Sequence, residues 1–151
     1  MNTKERGFSL IELVTVMLLI GILSVVLFSR LGPVNTAAVQ SGRDDIIAAL
    51  FFAQQTAMMR SSGGNIRVEF TSNTVSVMEN GSPVIADRYP LTLPEGVSVS
   101  AVTDNPSDDD KFIFDKLGRT QSGTITLTGS GNTAGTSAAI RVEASGYAYA
   151  N

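Results

Sequence analysis

The chain has 151 residues, of which 43% are hydrophobic and only 17% are charged, with a formal net charge of −3. It contains no cysteine and no histidine, which excludes disulfide frameworks, thiolate metal sites and catalysis by a histidine base. The acidic balance disfavours a globally basic nucleic-acid-binding protein. Because the length fits one ordinary domain, the placement of the many apolar residues is the informative feature.

The apolar residues are concentrated near the amino terminus, after a short polar segment that carries Lys4 and Arg6. The run from Phe8 to Phe28 holds a single charged residue, Glu12. As an α-helix it would extend about 31 Å, at about 1.5 Å per residue, which is enough to cross a bilayer. The two leading cations favour an amino end in the cytoplasm, so the rest of the chain is expected in the periplasm.

Three interpretations of this segment compete. A cleaved secretory signal peptide needs a shorter apolar core and a small-residue cleavage site, whereas only the stretch 35–38 follows here. A plain membrane anchor explains the length of the run but not the positions of Gly7 and Glu12. The third interpretation accounts for both residues and rests on a family resemblance.

The sequence GFSLIELV, from Gly7 to Val14, resembles the type IV prepilin signature. The resemblance implies that a prepilin peptidase cleaves between Gly7 and Phe8 and methylates the new amino terminus at Phe8. Glycine suits such a site because it has no side chain to obstruct an active site at the membrane surface. The apolar helix would stay attached to the mature chain.

Glu12 needs an explanation, because an acid inside a membrane helix costs a few kcal/mol and usually has a partner. One interpretation places it at the interface or protonates it. The family resemblance instead implies that Glu12 faces the amino terminus of Phe8 in a neighbouring subunit. Such a buried charge pair penalises wrong registers, and it would set the axial stagger of a helical filament.

A second helical segment is expected beyond the apolar run. Residues 31–33 contain Pro33 and predict a break, and Gly42 is a second expected weak point. Apolar residues then recur at i, i+4, i+7 and i+11, namely Ile46, Leu50, Ala53 and Ala57. This spacing predicts an amphipathic helix that covers a globular head and ends at residues 60–64.

From Asn65 the apolar residues alternate with polar ones, which predicts β-strands. Asn80-Gly81 predicts a hairpin turn. The predicted strands are 66–70, 75–77, 84–86, 91–93, 97–102, 111–115, 124–128, 139–144 and 147–149. The predicted fold class is α+β and pilin-like, in which a long amino-terminal helix, half membrane-embedded and half amphipathic, packs on an antiparallel sheet.

Four regions follow from this pattern. They are a leader peptide (1–7), a transmembrane or filament-core helix (8–30), an amphipathic half (31–62) and a β-rich globular head (63–151). Within the head, the segments 112–120, 125–128 and 140–147 resemble the H-type minor pseudopilins of type II secretion. Gly118 and Gly146 in these segments are interpreted as turn residues.

The segment from Asp44 to Gln55 resembles minor pilins of the mannose-sensitive haemagglutinin (MSHA) pilus. It favours a minor type IV pilin that primes the filament or lies at its tip. The alternatives are an H-type minor pseudopilin of a type II secretion system and a DNA-receptor minor pilin. No nucleophile–base pair is evident and histidine is absent, so no enzyme activity is expected.

An acidic loop lies in the predicted head. Its candidates for calcium ligands are Asp104, Asp108, Asp109 and Asp110. Calcium prefers several carboxylate and carbonyl oxygens in a flexible loop, but the spacing of an EF-hand is missing here. A solvated acidic turn is therefore expected, with no metal and no other cofactor.

Three cations, Lys116, Arg119 and Arg141, are candidates for a small basic patch. Three phosphate contacts would give only weak, salt-sensitive affinity, so nucleic acid is not expected as a partner. The family resemblance implies other partners: pilins or pseudopilins in a filament, prepilin peptidase, an inner-membrane assembly platform, and membrane lipid before assembly. The expected location is the bacterial inner membrane, as a single-pass protein with its head in the periplasm, and then the pilus or pseudopilus.

Overall fold

The computed structural model describes residues 9–30, 34–60, 65–85 and 87–151, with side-chain environments for all of these except 25–30, 34, 35 and 132. The chain divides into two compact units, an amino-terminal unit of residues 1–34 and a carboxy-terminal unit of residues 35–151. The predicted helix break at 31–33 and the residues 61–64 at the predicted helix end lie outside the described residues.

Two long helices are described. Helix α1 runs from Leu10 to Arg30 and helix α2 from Val34 to Met59. The predicted amphipathic face of α2 is confirmed, because Ile46, Leu50, Ala53 and Ala57 are all buried. The face also includes Val39, Ala49 and Thr56, the last of which satisfies its hydroxyl by donating to the carbonyl oxygen of Phe52 at 2.8 Å.

The expected interruption at Gly42 is wrong, because α2 is continuous through this residue. Gly42 is buried, and a Cβ atom added there would lie 3.2 Å from Cδ2 of Leu127 and 3.5 Å from Cδ2 of Leu93. The missing side chain therefore lets α2 approach the strands closely. The packing of the helix outweighs the low helix propensity of glycine.

The strands among the described residues are nine. They are β1 (Ile66–Phe70), β2 (Thr74–Glu79), β3 (Ser82–Pro83), β4 (Leu91–Thr92), β5 (Val97–Thr103), β6 (Lys111–Phe114), β7 (Gly123–Gly129), β8 (Ser137–Val142) and β9 (Ala148–Ala150). All pairings are antiparallel and form two sheets. Sheet A has the order β3-β2-β1-β6 with β4 also on β2, and sheet B has the order β5-β7-β8-β9.

The strand predicted at 84–86 is wrong in position. Asn80 and Gly81 both have positive φ and form a two-residue turn, so that Glu79 pairs directly with Ser82. The return strand β3 therefore begins and ends earlier than predicted. Val84 and Ile85 follow in a bend, although the Val84 N–H still donates to the carbonyl oxygen of Val77 at 2.9 Å. Ala86 lies outside the described residues.

Burial alternates along the strands as expected for sheets that pack one face on a core, for example in β1 and β7. The buried cluster joins α2 to both sheets and includes Leu50, Phe112, Ile125 and Ile140. The predicted α+β fold, with a helix packed on antiparallel strands, is confirmed. The division of the strands into two sheets is the feature that the pattern did not predict.

Candidate functional site

Helix α1 carries an apolar surface on all sides. Every described side chain from Ser9 to Ser24 is exposed, and Leu10 is 81% exposed. A helix that is hydrophobic all round is normally covered by protein or by lipid. The chemistry of α1 is therefore that of an interaction element. Within the described ranges, no helix combines the length and the apolar character that crossing a membrane requires.

Glu12 lies in the first turn of α1, where its charge interacts favourably with the helix dipole. Its Oε2 atom accepts a hydrogen bond from the Ser9 backbone N–H at 3.3 Å. The Ser9 carbonyl oxygen in turn accepts from the backbone N–H groups of Glu12 and Leu13 at 3.0 and 3.2 Å. Glu12 thus makes one half of a capping box and helps to start the helix.

Sequence reasoning missed this capping interaction of Glu12. The signal was present, because Ser9 and Glu12 have the spacing of a capping box, serine followed three residues later by glutamate. The other predicted assembly and processing residues, Gly7 and Phe8, lie outside the described residues. The structure therefore places Glu12 at a helix start without describing its predicted partner.

The acidic loop uses its carboxylates within the protein. Asp109 Oδ1 accepts from the Thr103 backbone N–H at 3.1 Å, and Asp110 Oδ1 accepts from that of Ala101 at 3.4 Å. Asp108 forms an ion pair with Lys111 at 2.9 Å. Asp104 is exposed in the bend that precedes them. In the part of the chain that the structure describes, no cluster of three or more acidic side chains could hold a metal ion.

Two of the three candidate cations lie beside carboxylates. Arg119 pairs with Asp115 at 3.0 Å, and Arg141 lies 3.6 Å from Glu143. A hydrogen bond from the Arg119 backbone N–H is the main cause that lowers the pKa of Asp115, so this acid stays ionised at neutral pH. The charge of the predicted basic patch is therefore partly compensated.

Gln54 of α2 links the helix to two turns. Its Nε2 atom donates to the carbonyl oxygens of Gly118 at 3.0 Å and Ser145 at 3.1 Å. Gly118 and Gly146 have positive φ, and a Cβ atom at either position would lie within 3 Å of another atom. The interpretation of both glycines as turn residues is confirmed, and the close approach to α2 adds a second reason for glycine.

An apolar groove of about 340 Å³ lies between α2 and residues 146–148, where β9 begins. Ile47 and Phe51 line it from the helix, and Tyr147 and Ala148 line it from the other side. The Phe51 and Tyr147 side chains are more than half exposed. Like the surface of α1, this groove suits packing rather than chemistry.

Comparison with known proteins identifies the family of the chain. Residues 43–146, more than two thirds of the chain, match the family described as type II transport protein GspH. The chain belongs to the GspH family. The match begins in α2 and covers β1–β8, including Gly118 and Gly146. The GspH family is not a family of enzymes, which confirms the expectation that the chain is not a catalyst.

Residues 2–28 of this GspH-family chain match the prokaryotic N-terminal methylation motif, which includes Gly7, Phe8 and Glu12. The prepilin-like resemblance of the amino terminus is thereby confirmed. No curated protein matches the chain.

A similar solved structure is that of the minor pseudopilin EpsH from the type 2 secretion system of Vibrio cholerae. It is 12% identical, covers 75% of this chain and 95% of that chain, and has a TM-score of 0.57. At this identity the similarity is one of fold alone.

Proposed function

We propose that this chain is a minor pseudopilin of a type II secretion system and that α1 carries it into a periplasmic filament. The GspH match over residues 43–146 carries this proposal. The amino-terminal methylation motif supports membership of a pilin-like filament but not the kind of filament, because type IV pilins and pseudopilins share such an amino terminus. The carboxy-terminal unit must therefore distinguish the two.

The comparisons favour the H-type pseudopilin over the MSHA-like minor pilin that the segment from Asp44 to Gln55 suggested. That segment forms most of the second half of α2, and its buried residues recur at helical spacing, at Ile46, Ala49, Leu50 and Ala53. A helix that covers a sheet requires such a pattern in any pilin-like protein. The resemblance is therefore expected of any such helix, and it does not distinguish a type IV pilus from a type II secretion pseudopilus.

Assembly would be driven mainly by the apolar side chains of α1. Burying one exposed leucine, isoleucine, valine or methionine side chain gains about 1.5–3 kcal/mol relative to water. Membrane lipid would cover these side chains before assembly, and the helices of neighbouring subunits would cover them in the filament. This change of surroundings, from lipid to neighbouring helices, agrees with a chain that starts in the inner membrane with its carboxy-terminal unit in the periplasm.

Glu12 would supply the register. One of its carboxylate oxygens caps its own helix through the Ser9 N–H, while a carboxylate has further lone pairs that can accept from a second donor. The charged amine of Phe8 in a neighbouring subunit is the proposed donor. A misplaced neighbour would leave a buried charge unpaired, which disfavours wrong registers.

Processing is the first test. We expect the mature chain to begin at Phe8 and to carry a methylated amine, because the motif at 2–28 contains the Gly7–Phe8 junction. Intact-mass measurement and amino-terminal sequencing of the membrane pool would show both. A terminus near Ala38 would instead indicate an ordinary signal peptide, and no filament model would then hold.

The kind of filament needs a second test. We expect deletion of this chain from its host to abolish the release of type II secretion substrates, with surface pili unchanged in number. Complementation with the intact chain should restore release. Normal secretion together with lost piliation would contradict the proposal and favour the minor type IV pilin.

A further inference from the structure

Met58 lies near the carboxy-terminal end of α2, between solvent and the turn formed by residues 115–119. Its side chain is 51% exposed. A Cβ atom added at Gly118 would nevertheless lie 3.1 Å from both the Cγ and the Sδ atoms of Met58. The thioether therefore packs against the backbone of this turn on one side and is open to solvent on the other.

The 115–119 turn is held internally by Asp115. The Gly118 N–H donates to the Asp115 carbonyl oxygen at 2.9 Å. The N–H groups of Leu117 and Arg119 both donate to the Asp115 Oδ1 atom, at 2.8 and 2.9 Å. These three backbone donors are thus engaged within the turn.

The turn is attached to α2 by Gln54 as well as by Met58. The two residues are four positions apart, so they lie on the same face of the helix. The Gln54 Nε2 atom donates to the carbonyl oxygens of Gly118 at 3.0 Å and of Ser145 at 3.1 Å. Because an amide nitrogen has two hydrogens, Gln54 has no further donor to offer.

We propose that Met58 is a site of oxidation by peroxides and that its sulfoxide releases the 115–119 turn from α2. A sulfur lone pair attacks one oxygen of hydrogen peroxide, the O–O bond breaks, and the remaining oxygen leaves as water. The sulfur atom is oxidised and the peroxide is reduced. The product is a polar side chain in place of a flexible apolar one, and sulfoxide reductases can reverse the change.

The new oxygen atom is a hydrogen-bond acceptor, and the donors around it are already engaged. It must therefore either be hydrated, which draws the Met58 side chain away from Gly118, or take a hydrogen of Gln54 from the Gly118 carbonyl oxygen. The first result removes the apolar contact between α2 and the turn. The second removes the hydrogen bond.

Met59 provides a matched control within the same helix. Its side chain is 74% exposed, so it should be oxidised at least as readily as Met58. Consecutive residues of an α-helix point in different directions, about 100° apart. The atoms nearest to an added Cβ at Gly118 belong to Gln54 and Met58. Oxidation of Met59 is therefore expected to leave the turn in place.

Hydrogen exchange of the full-length chain in detergent, before and after treatment with hydrogen peroxide, is the central test. The Gly118 amide should exchange roughly fivefold faster after oxidation, the factor that one lost hydrogen bond gives. The Ile125 amide within β7 should keep its rate. Residue-resolved mass spectrometry would measure both rates and locate the added oxygen. Treatment with methionine sulfoxide reductases should restore the original rate at Gly118.

Two substitutions assign the effect to one sulfur atom. Met58→Leu keeps a similar apolar volume but cannot accept oxygen, so peroxide should no longer accelerate exchange at Gly118. Met59→Leu should retain the full acceleration. The reductase treatment tests the same assignment in the unsubstituted chain.

Three results would overturn the inference. Equal acceleration in the Met58→Leu chain would place the effect at another residue. Oxygen on Met58 with an unchanged Gly118 rate would show that the turn does not depend on the thioether. An unoxidised Met58 under conditions that oxidise Met59 would show that the turn shields the sulfur. Since the isolated chain is measured, none of these outcomes depends on the proposed function.

Discussion

The two long helices of this chain differ in the exposure of their apolar side chains. In α1 every described side chain from Ser9 to Ser24 is exposed, whereas in α2 the side chains of Ile46, Leu50 and Ala53 are almost completely buried. The apolar face of α2 packs against the two sheets of the same chain. The apolar surface of α1 has no such cover among the described residues. The proposed function therefore assigns folding to α2 and assembly to α1.

This comparison predicts that the two units can be separated. Removing residues 1–35 should convert an aggregating or detergent-dependent protein into a soluble monomer, because the exposed apolar helix is lost and the core around α2 stays complete. Size-exclusion chromatography and circular dichroism would measure the change. A spectrum dominated by helix, or persistent aggregation, would show that the carboxy-terminal unit does not fold by itself.

A pair of leucine substitutions sharpens the contrast. Leu50→Ala, at a buried position of α2, should lower the free energy of unfolding by about 2–5 kcal/mol, the usual cost of a cavity. Leu18→Ala, at an exposed position of α1, should change it by less than about 0.5 kcal/mol. Chemical denaturation in detergent, followed through the unfolding of the sheets, would measure both. Equal effects would contradict the separation of roles.

Two glycines provide a finer comparison. Gly146 has φ +84°, and a Cβ atom there would lie 2.0 Å from the carbonyl oxygen of Gly118. Gly146→Ala should therefore lower the free energy of unfolding by about 1–3 kcal/mol from backbone strain alone. Gly21 of α1 has nothing within 4 Å of an added Cβ. Gly21→Ala should instead favour the helix by about 1 kcal/mol.

The thermal midpoint of the sheets would detect the effect of Gly146→Ala, and the helical circular dichroism signal would detect that of Gly21→Ala. A sheet midpoint unchanged by Gly146→Ala would mean that the turn relaxes away from α2. In that case the hydrogen bonds of Gln54 to the two turns would not hold them in place.

Much of the fold could be predicted because local periodicity encodes it. The apolar spacing from Ile46 to Ala57 predicted the buried face of α2, and alternation predicted eight of the nine strands at nearly their observed positions. The turn at Asn80 and Gly81 was also predictable, but its two-residue length shifted β3 from the expected place.

The remaining features depend on contacts between distant parts of the chain. The role of Gly42 depends on Leu127, and that of Gln54 depends on Gly118 and Ser145. No local pattern predicts such partners. The capping interaction of Ser9 with Glu12 was different, since its spacing was present in the sequence and was overlooked.

The central claim is that the charge of Glu12, and not only its capping interaction, directs α1 into a filament. The most direct measurement compares Glu12→Gln with Glu12→Val in sheared filaments, beside amino-terminal sequencing of the membrane pool. Glutamine keeps an oxygen for the Ser9 N–H, as in other capping boxes, but removes the charge. Valine removes both.

The account predicts that both chains are cleaved after Gly7 and that both fail to assemble. The expected penalty is about 3–5 kcal/mol, the cost of leaving a buried charge unpaired. Normal assembly of the Glu12→Gln chain, with failure confined to Glu12→Val, would contradict the account and reduce Glu12 to a helix cap.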